Sequence, residues 1–277
     1  MAITPTITLN DGTSIPQLGF GVFQVPPDEV VASVAAAIEA GYRLIDTAAA
    51  YGNEEGVGKA IANSGVPRDE LYITTKLWNA DHGYDKTLAA FDASLAKLGL
   101  DAVDLYLIHW PLPKRDDYVE TWKALEKILA DGRTRSIGVS NFNVDHLERL
   151  AAETDVTPVV DQVELHPRLV QADLRAYGVK HGIVTEAWSP IGRGQGLLDD
   201  DVVVEMAKAH DRSPAQVVLR WHIQLGNVVI PKSVNPDRIR ENIDIFDFEL
   251  TAAEMDRLTD LGPEDRIGPD PADFDVA

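Results

Sequence analysis

The chain has no cysteine in 277 residues. Disulfides, thiolate metal sites and thiol nucleophiles are therefore excluded, and a reducing cytoplasm is compatible. No apolar run approaches the ~20 residues of a membrane span. The start, Met1-Ala2-Ile3-Thr4-Pro5, lacks the basic and apolar regions of a signal peptide. Bases are also scarce. Lys and Arg number 25 against 45 Asp and Glu, a formal net charge of −20. A surface this acidic repels nucleic acid and anionic membranes, so neither is expected as a partner. Any local basic cluster is informative against that background. His-x-His does not occur, and no linker-like or low-complexity stretch divides the chain. One cytoplasmic domain spanning 1–277 is the expectation.

What is present is a 45% apolar share, enough for a full-sized core. Eight short apolar runs are spread along the chain, and most end on polar residues. Tyr42-Arg43-Leu44-Ile45 ends at Asp46, Leu71-Tyr72-Ile73-Thr74-Thr75 at Lys76, and Val103-Asp104-Leu105-Tyr106-Leu107-Ile108 at His109. Ser140-Asn141, Gln162 with Glu164, Glu186 with Trp188, and Lys232 close four others, and the run Leu18-Gly19-Phe20-Gly21 ends on glycine. Between them lie helix-like segments by 3.6-residue spacing: Asp28–Ala40, Glu54–Asn63, Lys86–Leu98, Tyr118–Ala130, Val144–Ala152, Ala172–Lys180 and Asp200–Ala209. Ser213-Pro214 opens another, Pro236 another, and Thr251 with Glu254 forms a capping-box spacing before a last one ending at Leu261.

Strand–helix alternation predicts an α/β fold with a parallel sheet. An open Rossmann sheet would carry G-x-G-x-x-G after its first strand, and Gly19-Phe20-Gly21-Val22-Phe23-Gln24 lacks the third glycine. Eight strand candidates favour closure into a (β/α)8 TIM barrel, which needs about 250 residues. Ile7 to Ile15, with Asp11-Gly12 at its centre, reads as an N-terminal β-hairpin that could plug the barrel bottom. Residues 262–277 lack periodicity and read as a surface tail or lid.

If the strands close into one barrel, their polar ends meet on one face, where barrel enzymes build active sites. Asp46, Tyr51, Lys76 and His109 then form one group. A tyrosine alone is a poor acid, since its reference pKa is ~10. A neighbouring lysine ammonium lowers that value, and Asp46 supplies the counter-charge a buried lysine needs. A histidine can orient a substrate oxygen. The four residues suit proton delivery to a developing alkoxide.

Other chemistries fit less well. A metal-dependent hydrolase could draw on Asp46, His109, Glu164 and His166, but Lys76 and Lys232 would put positive charge near a cation. A retaining glycosidase needs two facing carboxylates, and Glu164 and Glu186 sit on neighbouring strands where they fill barrel layers or pair with bases.

Six motifs carry a family resemblance. They are Asp46-Thr47-Ala48 with Tyr51-Gly52-Asn53-Glu54; Thr74-Thr75-Lys76-Leu77-Trp78; Leu107-Ile108-His109-Trp110-Pro111; Ile137-Gly138-Val139-Ser140-Asn141-Phe142; Gln162-Val163-Glu164-Leu165-His166-Pro167; and Ile230-Pro231-Lys232-Ser233 with Arg238-Ile239 and Glu241-Asn242. In this order, and over nearly the whole chain, they resemble the aldo-keto reductases, and most closely the bacterial branch containing 2,5-diketo-D-gluconate reductases. The resemblance implies NADPH (NADP+) bound in an extended pose and reduction of a small carbonyl compound. It implies Tyr51 as proton donor, Lys76 and Asp46 as its tuning pair, and His109 as the group that orients the carbonyl. The resemblance leaves one alternative, a non-catalytic NADPH-binding regulatory or sensor protein on the same barrel.

The resemblance carries cofactor roles onto single positions. Ser140, Asn141 and Gln162 match the residues that bind the nicotinamide carboxamide. Trp188 stands where most members stack a tyrosine on the ring. Gly21, Val22, Asp46, Ser189, Ile191 and Gly192 would line the channel, with the loop Ser189–Leu198 as a belt over the pyrophosphate. Lys232, Ser233, Val234 and Arg238 match the clamp on the 2′-phosphate, and Glu241 and Asn242 the residues that hold the adenine. The basic cluster of Lys232, Arg238 and Arg240 favours NADP(H) over NAD(H). Phe23, Ala50, Trp78, His109 and Trp110 resemble the substrate pocket, whereas Trp122 and Trp221 lie on helices and belong to the core. The family is mostly monomeric, and a monomer is expected. The tail carries Glu264, Asp265, Asp270, Asp273 and Asp275 against Arg266, an acidic lid that would disfavour highly anionic substrates.

Overall fold

A computed structural model describes residues 4–262 and 265–276. The first three residues, Glu264 of the acidic tail and Ala277 lie outside the described residues. The chain opens with an antiparallel hairpin, β1 (Thr6–Thr8) and β2 (Ser14–Pro16), with Ile7 opposite Ile15. Asp11 Oδ1 accepts from the Thr13 amide and Gly12 takes φ +84°, so the Asp-Gly pair makes the turn. Eight parallel strands follow: β3 (Gly19–Gly21), β4 (Leu44–Asp46), β5 (Tyr72–Leu77), β6 (Val103–Ile108), β7 (Thr134–Ser140), β8 (Val160–Glu164), β9 (Val184–Trp188) and β10 (Val228–Val229). They are hydrogen-bonded in sequence order. A parallel bridge from Leu18 to Val229, with the Gly21 amide on Pro231 O at 3.2 Å, joins the first strand to the last and closes the barrel.

Alternation along each strand divides the apolar residues in two. Ile45, Ile73, Tyr106, Ile108, Val139, Val163 and Val229 face the helices, and Leu44, Tyr72, Leu105, Leu107, Val160 and Val228 fill the interior. Leu9 and Ile15 of the hairpin join the inner cluster, so the hairpin does plug the barrel. Asp11 ties it there by accepting from Ser136 Oγ at 2.6 Å.

The helices are α1 (Val30–Ala40), α2 (Glu54–Asn63), α3 (Tyr84–Leu98), α4 (Tyr118–Ala130), α5 (Val144–Glu153), α6 (Ala172–His181), α7 (Asp201–His210), α8 (Pro214–Gln224), α9 (Pro236–Ile243) and α10 (Ala252–Thr259). Capping boxes at Ser213 and Thr251 start α8 and α10 as their spacing predicts. α1 begins two residues later than expected, because the Glu29 and Val30 amides both bond Pro26 O and hold a turn there. α3 begins two residues earlier, because Gly83, at φ +99°, donates to Thr121 Oγ1 and its carbonyl accepts from Thr87 Oγ1. Trp122 and Trp221 are fully buried on α4 and α8, each with its indole N–H satisfied.

Candidate active site

The C-terminal strand ends bring the expected group together. Asp46 closes β4, Lys76 is the penultimate residue of β5, and His109 directly follows β6. Tyr51 ends a single 3-10 turn, Ala49–Tyr51, in the loop after β4. Asn53 fixes that loop: its Nδ2 donates to Val22 O and Val25 O, and its Oδ1 accepts from Thr47 Oγ1. Glu54, also buried, accepts from Thr75 Oγ1 at 2.7 Å. Sequence reasoning gave neither residue a role, although both lie in the quoted motif.

Lys76 is 0% exposed and donates to Asp46 Oδ1 and Oδ2 at 2.7 and 2.9 Å and to Thr47 O at 2.9 Å. Tyr51 Oη stands 3.3 Å from the same ammonium. Burial alone would strip the lysine of its proton, but Asp46 and the tyrosine outweigh it and hold Lys76 above its ordinary value. The expectation that the lysine makes Tyr51 more acidic than usual is only half right. Burial raises the phenol more than Lys76 lowers it, and Tyr51 stays above its ordinary value. Tyr51 is therefore loaded with its proton at neutral pH. His109 is held well below its ordinary value by burial, then by the charges of Lys76 and His82. A neutral imidazole has one N–H to offer an oxygen, and its Nδ1 has no partner among the described residues. Its ring packs edge-on against Tyr51 at 5.7 Å and Trp78 at 5.4 Å.

The residues expected to hold the nicotinamide converge as well. Gln162 Nε2 donates to Asp46 Oδ2 and Glu186 Oε2, which fixes its oxygen as the free end. Ser140 Oγ donates to Gln162 O and accepts from Asn141 Nδ2. Asn141, at φ +62°, also donates to His109 O, and its Oδ1 accepts from Trp188 Nε1 at 2.8 Å. What remains on all three side chains is acceptor capacity, which suits the two N–H donors of a carboxamide. Trp188 is half-buried, pinned through its indole rather than lost in the core.

Gly21 approaches β10 so closely that a Cβ would lie 2.9 Å from Ile230 O. Val22 is buried beside it, Ser189 and Ile191 are half-buried, and Gly192 is buried at the root of the 189–198 loop. In that loop Arg193 lies over the rings of Phe23 at 5.3 Å and Trp188 at 5.8 Å, a contact the sequence does not signal. Lys232, Val234 and Arg238 are exposed and Ser233 is half-buried around the start of α9. The cluster is smaller than expected. Arg240 is engaged by Asp237 at 2.6 Å, which leaves Lys232 and Arg238 without an ion pair among the described residues. Glu241 lines a recess beside Ser213 and Pro214, and Asn242 is buried.

Phe23 packs on Tyr51 at 5.1 Å, and Ala50 is exposed next to it. Trp110, expected in the substrate pocket, is buried, and the tail's Phe274 covers it at 4.3 Å. The tail is fastened at both ends. Glu164 accepts from the Ile267 and Gly268 amides at 2.6 and 2.8 Å, and Asn79 Nδ2 donates to Val276 O at 2.6 Å. A Cβ on Gly268 would lie 2.5 Å from Trp188, so only glycine fits there. Asp273 and Asp275 pair with Lys114 and Arg115, which answers much of the tail's charge and weakens the case against anionic substrates. The alternative groupings do not form: Asp46 belongs to Lys76, and Glu164 to His166 at 3.0 Å and the tail.

Two buried histidines predict acid sensitivity. Burial, then Arg115, lowers His82 to about 4, and burial lowers His222 to about 3, each from 6.5. The unfolded chain takes up these protons first, so stability is lost as pH falls from about 6.5 toward 4. His82 alone accounts for about 3 kcal/mol of that loss. Urea midpoints measured across this range should flatten in His82→Gln. A slope equal to the wild type would show that His82 is not a source.

A closed (β/α)8 barrel with a tyrosine, a lysine, an aspartate and a histidine at its C-terminal mouth has the make-up of a barrel enzyme that moves a proton. The aldo/keto reductase family model matches residues 17–262, and the chain belongs to that family. An aldo-keto reductase of Mycolicibacterium smegmatis is 57% identical over 98% of both chains. The glyoxal reductase of Bacillus subtilis is 54% identical over 98% of this chain and 97% of its own. A solved NADPH complex of a variant of Gox0644 superposes with a TM-score of 0.94 at 48% identity, covering 99% of both chains. The protein is an NADPH-dependent oxidoreductase acting on carbonyl compounds. Among the described residues no helix is long and apolar enough to cross a membrane.

Proposed function

We propose that this protein reduces a small aldehyde or ketone to the alcohol, with Tyr51 delivering the proton. NADPH, when bound, supplies the hydride from nicotinamide C4. Ser140, Asn141, Gln162 and Trp188 would hold the nicotinamide, and Lys232, Ser233 and Arg238 the 2′-phosphate. The reading is carried by one observation: Tyr51 Oη lies 3.3 Å from a fully buried lysine held by Asp46, with the His109 ring against the phenol. As negative charge develops on the carbonyl oxygen, Tyr51 gives up its proton and Lys76 stabilises the phenolate left behind. His109 donates its single N–H to the same oxygen and so orients the carbonyl.

Phe23, Trp78 and Tyr51 form an apolar rim that suits small α-dicarbonyls, aldehydes and keto-sugars. The glyoxal reductase relative supports the first class. With Asp273 and Asp275 engaged by Lys114 and Arg115, keto-sugar acids stay within the range. A cytoplasmic setting, with which a cysteine-free chain is compatible, and a monomer complete the reading. The test is NADPH oxidation against a panel of these compounds, where turnover with none of them would refute it.

The cofactor assignment has its own test. Arg238→Ala removes a charge-assisted contact worth about 1.5–3 kcal/mol, so NADPH should bind roughly ten- to a hundredfold more weakly. NADH, which lacks the 2′-phosphate, should be little affected. Equal weakening of both in fluorescence titrations would overturn the assignment.

A further inference from the structure

Below the active site, inside the barrel, stands a carboxyl group that the mechanism above does not use. Glu186 lies on β9 with 0% exposure, in register with Gln162 on β8 and Val228 on β10. Gln162 Nε2 donates to Asp46 Oδ2 at 2.9 Å and to Glu186 Oε2 at 3.0 Å. One amide thus links two carboxyl groups. Two carboxylates this close in a dry interior do not ionise together, and the one without a cation keeps the proton. Asp46 has Lys76 at 2.7 Å, whereas Glu186 Oε1 has no partner among the described residues.

We propose that Glu186 is a positioning residue for proton transfer: through the Gln162 amide it shares with Asp46, it sets the pH range over which Tyr51 keeps its proton. This rests on the reading of Tyr51 as the proton donor. The charged and titratable groups around Glu186 are Asp46 from β4, Lys76 and Tyr72 from β5, and Tyr51 from the loop above. β8 contributes the uncharged Gln162 and, on the same face, Glu164, which is engaged by His166 and the tail. β10 contributes Val228. β5 lies four strands from β9 around the barrel, so Tyr72 and Glu186 approach the axis from opposite walls. Each is buried, and the hydroxyl of Tyr72, like Glu186 Oε1, has no partner among the described residues.

Burial, then the charge of Asp46, pushes the Glu186 carboxyl up to about 8. Below that pH only one of the two carboxyls on the Gln162 amide is charged, the one balanced by Lys76. Above it a second appears, and that charge raises both Tyr51 and Lys76. An ionised Glu186 therefore keeps the phenol protonated to higher pH. Reduction needs the phenol and extends further into alkali. Alcohol oxidation needs the phenolate and begins at higher pH.

The test is the pH profile of kcat in both directions for wild type and E186Q, each scaled to its own plateau, with Y51F beside them. In E186Q the alkaline limb of reduction and the acid limb of oxidation should both move to lower pH by about one unit. A group that merely fills space would move neither limb. Profiles that overlay the wild type, with Y51F inactive, would overturn the role of Glu186 alone. Reduction that persists in Y51F would instead overturn the reading on which it rests. Should E186Q fail to fold, the wild type still decides the point. With carboxyl-13C-labelled glutamate, one resonance should titrate near 8. A spectrum in which every glutamate titrates in the ordinary carboxylate range would overturn the proposal.

Discussion

Tyr51→Phe is expected to lower kcat for NADPH-dependent carbonyl reduction by a factor of about 10² to 10⁴ while NADPH still binds. The magnitude is that of removing a positioned general acid. The substitution deletes one oxygen and leaves the ring, which packs between Phe23 and His109 at 5.1 and 5.7 Å. The cleft should therefore keep its shape, and its apolar rim should keep its contacts with substrate. On the proposed reading no other described side chain is placed to deliver the proton, because His109 serves as a neutral donor and Lys76 is committed to Asp46. Steady-state turnover beside a cofactor-binding titration separates the two effects. A variant that kept more than a tenth of the wild-type kcat would remove Tyr51 from its assigned role.

Lys76→Met should produce the largest loss of stability, about 3–5 kcal/mol, because it leaves Asp46 buried without its cation. Lys76 and Asp46 are 0% and 1% exposed, so water cannot replace the missing charge. Gln162 would remain as a donor to Asp46, but it also serves Glu186. Adding Asp46→Asn to Lys76→Met should recover much of the loss, since the uncompensated charge is then gone. Urea unfolding of the two single variants and the double variant measures the coupling. A loss under about 1 kcal/mol in Lys76→Met would show that the ion pair with Asp46 contributes little to stability. Activity should fall as well, because the phenolate formed by proton transfer would lose its stabilising cation.

The proposed catalytic group was legible because Asp46, Lys76 and His109 lie at or next to the ends of apolar runs, with Tyr51 in the loop after the first of them, and barrel closure brings such ends together. Asp46 and Lys76 illustrate this, standing 30 residues apart in sequence and 2.7 Å apart in space. Ser140, Asn141 and Gln162, assigned to the nicotinamide by the resemblance, are joined to one another by hydrogen bonds in the structure. The basic cluster was overestimated, because a sequence does not show that Arg240 folds back on Asp237 one turn earlier. The tail was read as an acidic lid from composition alone. Its fastening to Glu164, Asn79, Lys114 and Arg115, and its cover over Trp110, depend on long-range contacts with no periodic signature.

The sequence by itself determined the fold class, the order of strands and helices, and the residue types at the strand ends. These follow from local causes: apolar periodicity, capping residues and turn glycines act over a few positions, and a parallel barrel leaves few ways to arrange them. Only the tertiary structure decided the protonation states. Whether Tyr51 sits above or below its ordinary value is a contest between burial and the nearness of Lys76, and neither quantity exists until the barrel closes. The same holds for Glu186, whose proton is fixed by its burial and then by the charge of Asp46, both set by strands far apart in the chain.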